Sequence, residues 1–150
     1  MLGESGSFQE RGCSRAARSG RRGLATAVMN CDELEACCEE GMALKNEGDY
    51  EAAAGKFEAV LAEAPQHAKA HLGLGLVYCF TGEFEKSIEE LKAAAACSPD
   101  WEEAHLNLAK TFAMLGMYPE ARVEFEKVLS LNPNHAEARK QLQYFAETGV

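Results

Sequence analysis

Two histidines stand at equivalent places 34 residues apart, His71 within AKAHL and His105 within EEAHL. Imidazole is a common metal ligand, so a pair of histidines on neighbouring helices could contribute to a metal site. Such a site needs at least a third protein ligand, and the sequence offers none at a matching place. We therefore expect both histidines to be packed or bonded to water, and we predict no metal and no other cofactor.

The cysteines show no paired metal-ligand spacing and lie in alanine-rich segments, where they serve as small apolar residues. This pattern favours a reducing compartment and predicts a cytoplasmic protein. The sequence contains no glycine-rich phosphate loop, nucleophile elbow or nucleophile beside a base, and we predict no enzymatic activity. The six cysteines are Cys13, Cys31, Cys37, Cys38, Cys79 and Cys97.

Charge is distributed unevenly along the 150 residues, whose formal net charge is −9. Residues 1–28 carry five arginines against Glu4 and Glu10, which leaves −12 on residues 29–150. A segment with this much negative charge, in which the lysines and arginines are scattered, argues against a nucleic-acid partner. No apolar run approaches the roughly 18 residues that a membrane-spanning helix needs, so we expect no membrane partner.

Residues 1–30 are rich in Arg, Gly and Ser and lack apolar periodicity, which predicts a disordered tail. One interpretation is a dispensable extension translated from an upstream start, with Met29 opening the domain proper. A transit peptide and a twin-arginine export signal are weaker interpretations, because the apolar stretch after Arg21–Arg22 is short and soon meets Asp32. The remaining residues, 31–150, form the predicted domain.

That domain alternates helical runs with short breaks and contains no strand-like alternation. Each glycine of the breaks can end the first helix of a pair, and each proline lies beyond the end of the second. Asp32, Asp100 and Asn134 are expected to cap helices. In steps of 34 residues, four sets of residues recur: Gly48, Gly82 and Gly116; Tyr50, Phe84 and Tyr118; Phe57, Leu91 and Phe125; Pro65, Pro99 and Pro133.

This pattern resembles the tetratricopeptide repeat (TPR) family, whose unit is a 34-residue antiparallel pair of helices. The resemblance implies an all-α, right-handed α-solenoid with repeats at 34–67, 68–101 and 102–135. Residues 136–147 would form a capping helix with Ala138, Leu142 and Ala146 facing inward. Gly55 falls inside a predicted helix, at a cost of about 1 kcal/mol relative to Ala.

In this family the first helix of each repeat lines a concave groove, and the resemblance implies that this groove binds a protein or peptide segment. Its centre would be apolar, which suits an amphipathic helix or an extended apolar segment. Leu72, Leu76 and Leu106 could instead belong to the core, since apolar helical spacing is typical of cores. Carried over by position, the predicted peptide-binding residues are Met42, Lys69, Leu72, Leu76, Cys79, Phe80, Leu106, Asn107, Lys110 and Met114.

Some family members hold the C-terminal carboxylate of a chaperone in a clamp of Lys, Asn and Arg. At the clamp positions this sequence has Cys38, Met42, Gly73, Glu103 and Asn107, which disfavours that ligand. We therefore predict a non-enzymatic scaffold or adaptor that binds an apolar protein segment. Two alternatives remain open: a secretion-type or other client chaperone, and an oligomerisation module whose solenoid ends stack, which implies weak self-association.

Overall fold

A computed structural model describes residues 28–150, and the regular structure in this range is helical. Of the predicted tail, residues 1–30, the segment 1–27 lies outside the described range. None of the described helices combines the length and apolar character needed to cross a bilayer. The helices are α1 (Cys31–Glu47), α2 (Tyr50–Glu63), α3 (Ala68–Thr81), α4 (Phe84–Cys97), α5 (Glu102–Met114), α6 (Tyr118–Leu131) and α7 (Ala136–Thr148).

The predicted glycine breaks separate the two helices of each pair. Gly48, Gly82 and Gly116 have φ values of +92°, +84° and +75°, in the left-handed region where a side chain is strained. Each amide bonds back to the preceding helix, as Gly48 N does to Lys45 O at 3.1 Å. The 34-residue helix pairs and the all-α fold are therefore confirmed.

The chain divides into two compact units, the first ending at Leu74 and the second running from Gly75 to Val150. In the first unit α1 packs on α2. In the second unit α4 packs on α5, α5 on α6 and α6 on α7. The division falls inside α3, so this helix supplies residues to both units.

The ring of Phe57 is the centre of the first unit and is fully buried. A Cβ atom added at Gly41 of α1 would lie 2.8 Å from the ring, and one added at Gly73 of α3 would lie 2.3 Å from it. Real Cβ atoms do not approach other atoms so closely, so glycine is required at both positions for this packing. Gly73 was assigned to the groove lining by position, but its role in the structure is close packing.

In the second unit, Gly75 approaches Leu91 in the same manner, with 2.8 Å between an added Cβ and Leu91 Cγ. Ser87 on α4 is fully buried and its hydroxyl donates to the Gly75 carbonyl oxygen at 2.7 Å. A buried hydroxyl needs such a partner, since leaving it unpaired costs about 1–3 kcal/mol. Small residues thus allow close helix contacts in both units.

The capping helix α7 buries a different residue from the one predicted. Ala138 is buried as expected, but Ala146 is exposed and Phe145 is 1% exposed. The Phe145 ring meets Tyr118 and Phe125, with centroid separations of 5.4 and 5.9 Å. A large ring removes far more apolar surface from water than a methyl group, and this burial fixes the helix orientation.

The predicted helix caps were wrong. In α1 the cap is Asn30, whose side chain accepts from Glu33 N at 2.9 Å while Glu33 accepts from Asn30 N at 3.0 Å. In α5 the residue before the helix is Trp101, which makes no side-chain cap bond. In α7 the His135 ring nitrogen Nδ1 accepts from Ala138 N at 3.2 Å.

His67 has the same place before α3 as His135 has before α7, and its Nδ1 accepts from Ala70 N at 3.3 Å. The Cys38 sulfur lies 3.8 Å from the same nitrogen. Burial lowers the pKa of His67, and the Glu35 carboxylate, 3.8 Å from Nε2, opposes the shift. The neutral imidazole therefore caps α3.

The two interior glycines Gly73 and Gly55 should respond oppositely to alanine. Gly73→Ala forces a methyl group into the Phe57 ring and should lower the free energy of unfolding by about 1–3 kcal/mol. Gly55→Ala meets no atom within 4 Å and should raise it by about 0.5–1 kcal/mol. Urea unfolding followed by circular dichroism measures both, and equal effects would contradict the Phe57 packing.

His67 should make the folded protein sensitive to mild acid. Because its pKa is lower in the folded state than in the unfolded state, the unfolded chain takes up the proton first as the pH falls. Its contribution should be complete above the ordinary histidine pKa and decline below it. His67→Asn keeps a capping acceptor without the titration, so its melting temperature should fall less than that of the wild type between pH 7.5 and 5.5. Parallel profiles would contradict this assignment.

Candidate functional site

The predicted peptide-binding residues divide between the two units. Met42, Lys69 and Leu72 belong to the first unit, and the other seven belong to the second. All ten lie on the first helices of their pairs, α1, α3 and α5. Their exposure and their partners decide which of them could contact a ligand.

Leu72 is 2% exposed and belongs to the core, so its assignment to the binding surface was wrong. Cys38 occupies the same repeat position and is also buried. In these two repeats the side chain faces the packed side of its helix and cannot reach a partner in the folded protein. Leu76, Cys79, Leu106 and Met42 are half-buried.

Phe80 and Met114 are the most exposed apolar residues among the ten, at 60% and 64%. They occupy the same repeat position, near the last turns of α3 and α5, and both belong to the second unit. Tyr144 on α7 is also exposed, at 55%. We call Phe80, Met114 and Tyr144 the first-helix surface. Of the large apolar residues exposed in the described range, all except Val28 belong to the second unit.

Both predicted lysines are engaged in ion pairs. The Lys69 ammonium bonds to the Glu35 carboxylate, and this hydrogen bond is the main cause that raises the pKa of Lys69. Lys110 Nζ lies 2.9 Å from Glu137 Oε1 and so connects α5 with α7. These charges are already compensated, which reduces their capacity to attract an anionic ligand.

The clamp positions offer little to a carboxylate. Gly73 has no space for a side chain, because Phe57 fills it. The Asn107 amide donates to the Glu103 carbonyl oxygen of its own helix at 2.9 Å. Asn107 is therefore the clamp residue whose amide could donate to a carboxylate, and one of its two N–H donors is already used.

His105 is buried and both of its ring nitrogens face oxygen atoms. Nδ1 lies 2.7 Å from Glu124 Oε2, and Nε2 lies 2.9 Å from the Pro99 carbonyl oxygen. Lys127 Nζ also contacts Glu124, at 2.8 Å from Oε1. His71 makes the equivalent contact to the Pro65 carbonyl oxygen at 2.8 Å. The His105–Glu124 pair was not predicted from the sequence, although the 34-residue spacing gives His71 and Glu90 the equivalent positions one repeat earlier.

Two of the described thiols, those of Cys37 and Cys97, have raised pKa values. Burial is the main cause that raises the pKa of Cys37 and the only cause for Cys97, which keeps both thiols protonated. Between Val28 and Val150 no three Cys, His, Asp or Glu side chains are close enough to hold a metal ion.

Two family models match the sequence, and both describe the tetratricopeptide repeat. One matches residues 46–111 and the other residues 102–135, so that together they account for residues 46–135. Among curated proteins, none matches this chain.

Solved structures of TPR proteins share the fold. The first TPR of Spaghetti (RPAP3), bound to the HSP90 peptide SRMEEVD, has a TM-score of 0.74 and 19% identity, covering 80% of this chain and 95% of that one. A second structure is that of the Yersinia enterocolitica type III secretion chaperone SycD in complex with a peptide of the translocator YopD. It has a TM-score of 0.73 and 19% identity, and the match covers 81% of this chain and 98% of that one. The crystal structure of MamA has a TM-score of 0.72 and 18% identity, and the match covers 90% of this chain and 76% of that one. Repeat spacing, helix pairing and the matched models agree: the chain belongs to the tetratricopeptide repeat family.

Proposed function

We propose that this protein is a non-enzymatic interaction module that binds an apolar segment of another protein through its first-helix surface. The observation that carries the proposal is the exposure of Phe80 and Met114 at the same position of consecutive repeats. Large apolar side chains that are more than half exposed at one repeat position favour a partner that removes them from water. Solved TPR structures with bound peptides support a peptide as the ligand class.

The partner's chemistry follows from the charges around this surface. Lys69 and Lys110 are ion-paired, and residues 29–150 carry a net charge of −12. An acidic peptide such as SRMEEVD would meet repulsion and no clamp. We infer an amphipathic helix or extended apolar segment with neutral or basic flanks, whose apolar side chains contact Phe80 and Met114.

Peptide selection tests this proposal. Peptides selected from a random display library with the full chain should carry apolar residues at helical or alternate spacing. Phe80→Asp should weaken their binding about tenfold or more, because a charge replaces a central aromatic contact. Val123 is 50% exposed but lies on the second helix α6, so Val123→Asp is the matched control and should bind as the wild type does. Equal loss in both variants, or tight binding of SRMEEVD, would contradict the proposal.

The free energy of unfolding of aspartate variants distinguishes surface residues from core residues among the ten predicted for peptide binding. Phe80→Asp should change the free energy of unfolding by less than about 0.5 kcal/mol, because the side chain is largely in water. Leu72→Asp buries a charge without a partner, and its cost of several kcal/mol should unfold the first unit. Thermal melts followed by circular dichroism measure both. A folded Leu72→Asp variant would restore Leu72 to the binding surface.

A client chaperone remains the second candidate, because the likeness to SycD extends over 98% of that chain. The same surface would then hold an export-bound client. Co-expression separates the two roles: a client should aggregate without this protein, whereas an adaptor's partner should stay folded. We also infer a cytoplasmic location, which the free thiols of Cys37 and Cys97 favour.

A further inference from the structure

A second concave site lies within the second unit, between α4, α5 and α6. It is an open cavity of about 450 Å³, and its apolar lining comes from Ala95, Ala96, Pro99 and Leu108. None of its lining residues is among the ten predicted for peptide binding. The cavity and the first-helix surface are therefore separate sites.

The repeat pattern explains why the cavity exists. Ala95 occupies the repeat position that Leu61 holds in the first repeat and Leu129 in the third. Replacing leucine by alanine removes three carbon atoms, and a packed interior does not close over such a loss completely. The second repeat thus has space where its neighbours have a side chain.

The polar side of the cavity is built from charged residues in fixed positions. His105 and Glu124 are 6% and 8% exposed and face each other at 2.7 Å. Lys127 binds the other oxygen of Glu124 at 2.8 Å, so this carboxylate has a cation on one side and an imidazole on the other. The polar groups of these three residues are paired with one another, so none of them needs a ligand to compensate its charge.

Lys92 differs from Lys127 in lacking such a partner. Within residues 28–150 no carboxylate oxygen lies within 4.0 Å of its ammonium group, which instead lies 5.7 Å from the centroid of the Phe112 ring. Lys92 lines the same cavity as the apolar residues. One uncompensated cation therefore stands beside an apolar recess.

We propose that this cavity binds a small organic monocarboxylate, with its apolar body against Ala95, Ala96 and Leu108 and its carboxylate at Lys92. Phosphate and other dianions fit less well, because the Glu124 carboxylate shares the cavity and repels a second negative charge. Lys92 is exposed, so its contribution to affinity is modest and most of the selectivity comes from the shape of the recess.

Titration of the full chain with 4-phenylbutyrate, followed by ¹H–¹⁵N NMR, tests the site. We expect saturable shifts of the amides of Ala95, Ala96 and Leu108 with a Kd on the order of 1 mM. Ala95→Leu restores the side chain of the other two repeats and should abolish these shifts. Ala62→Leu adds the same bulk at an exposed position of α2 and should leave them unchanged.

The charge is tested separately, with variants and probes that leave the fold intact. Lys92→Gln should weaken 4-phenylbutyrate binding about threefold to fivefold, and the neutral 4-phenylbutanamide should bind the wild type as weakly as the acid binds Lys92→Gln. Equal binding of acid and amide would overturn the carboxylate assignment. Binding that survives in a folded Ala95→Leu variant, or no shift at 20-fold the expected Kd of about 1 mM, would overturn the site itself.

Discussion

The first unit depends on one close contact, the ring of Phe57 against the backbones of Gly41 and Gly73. Two helices can approach a ring this closely only where neither carries a side chain. The same contact leaves no space for a side chain at one of the positions that the family resemblance assigned to a carboxylate clamp. Core packing by Phe57 therefore explains why this position is occupied by glycine.

The ion pairs affect the charge of the surface more than they affect the stability of the fold. Lys69 with Glu35 and Lys110 with Glu137 are partly exposed, and such pairs contribute at most about 1 kcal/mol each. Their effect is to compensate the two lysines of the predicted groove. What remains exposed on the first-helix surface is apolar, at Phe80 and Met114.

Small departures from the repeat consensus create the features particular to this chain. Ala95, where the first and third repeats have leucine, lines a cavity within the second unit. His105 and Glu124 occupy positions that Cys37 and Lys56 hold in the first repeat, where the Cys37 sulfur instead lies 3.5 Å from the Lys56 carbonyl oxygen. The backbone pattern tolerates all these combinations, so sites can differ between repeats while the helices do not.

The sequence by itself determined the helix pairs, their 34-residue spacing and the glycine turns, because these depend on local backbone preferences repeated three times. The sequence did not determine which apolar residues are exposed at the surface. Leu72 and Phe80 lie on one helix and both fit a groove by position, yet only Phe80 is exposed, because burial depends on neighbouring helices. The imidazole caps of His67 and His135 depend on local side-chain geometry. The exposure of Phe80 and the burial of Phe145 depend instead on contacts between distant residues. Tertiary packing decided them, since it selects among side chains that local sequence treats as equivalent.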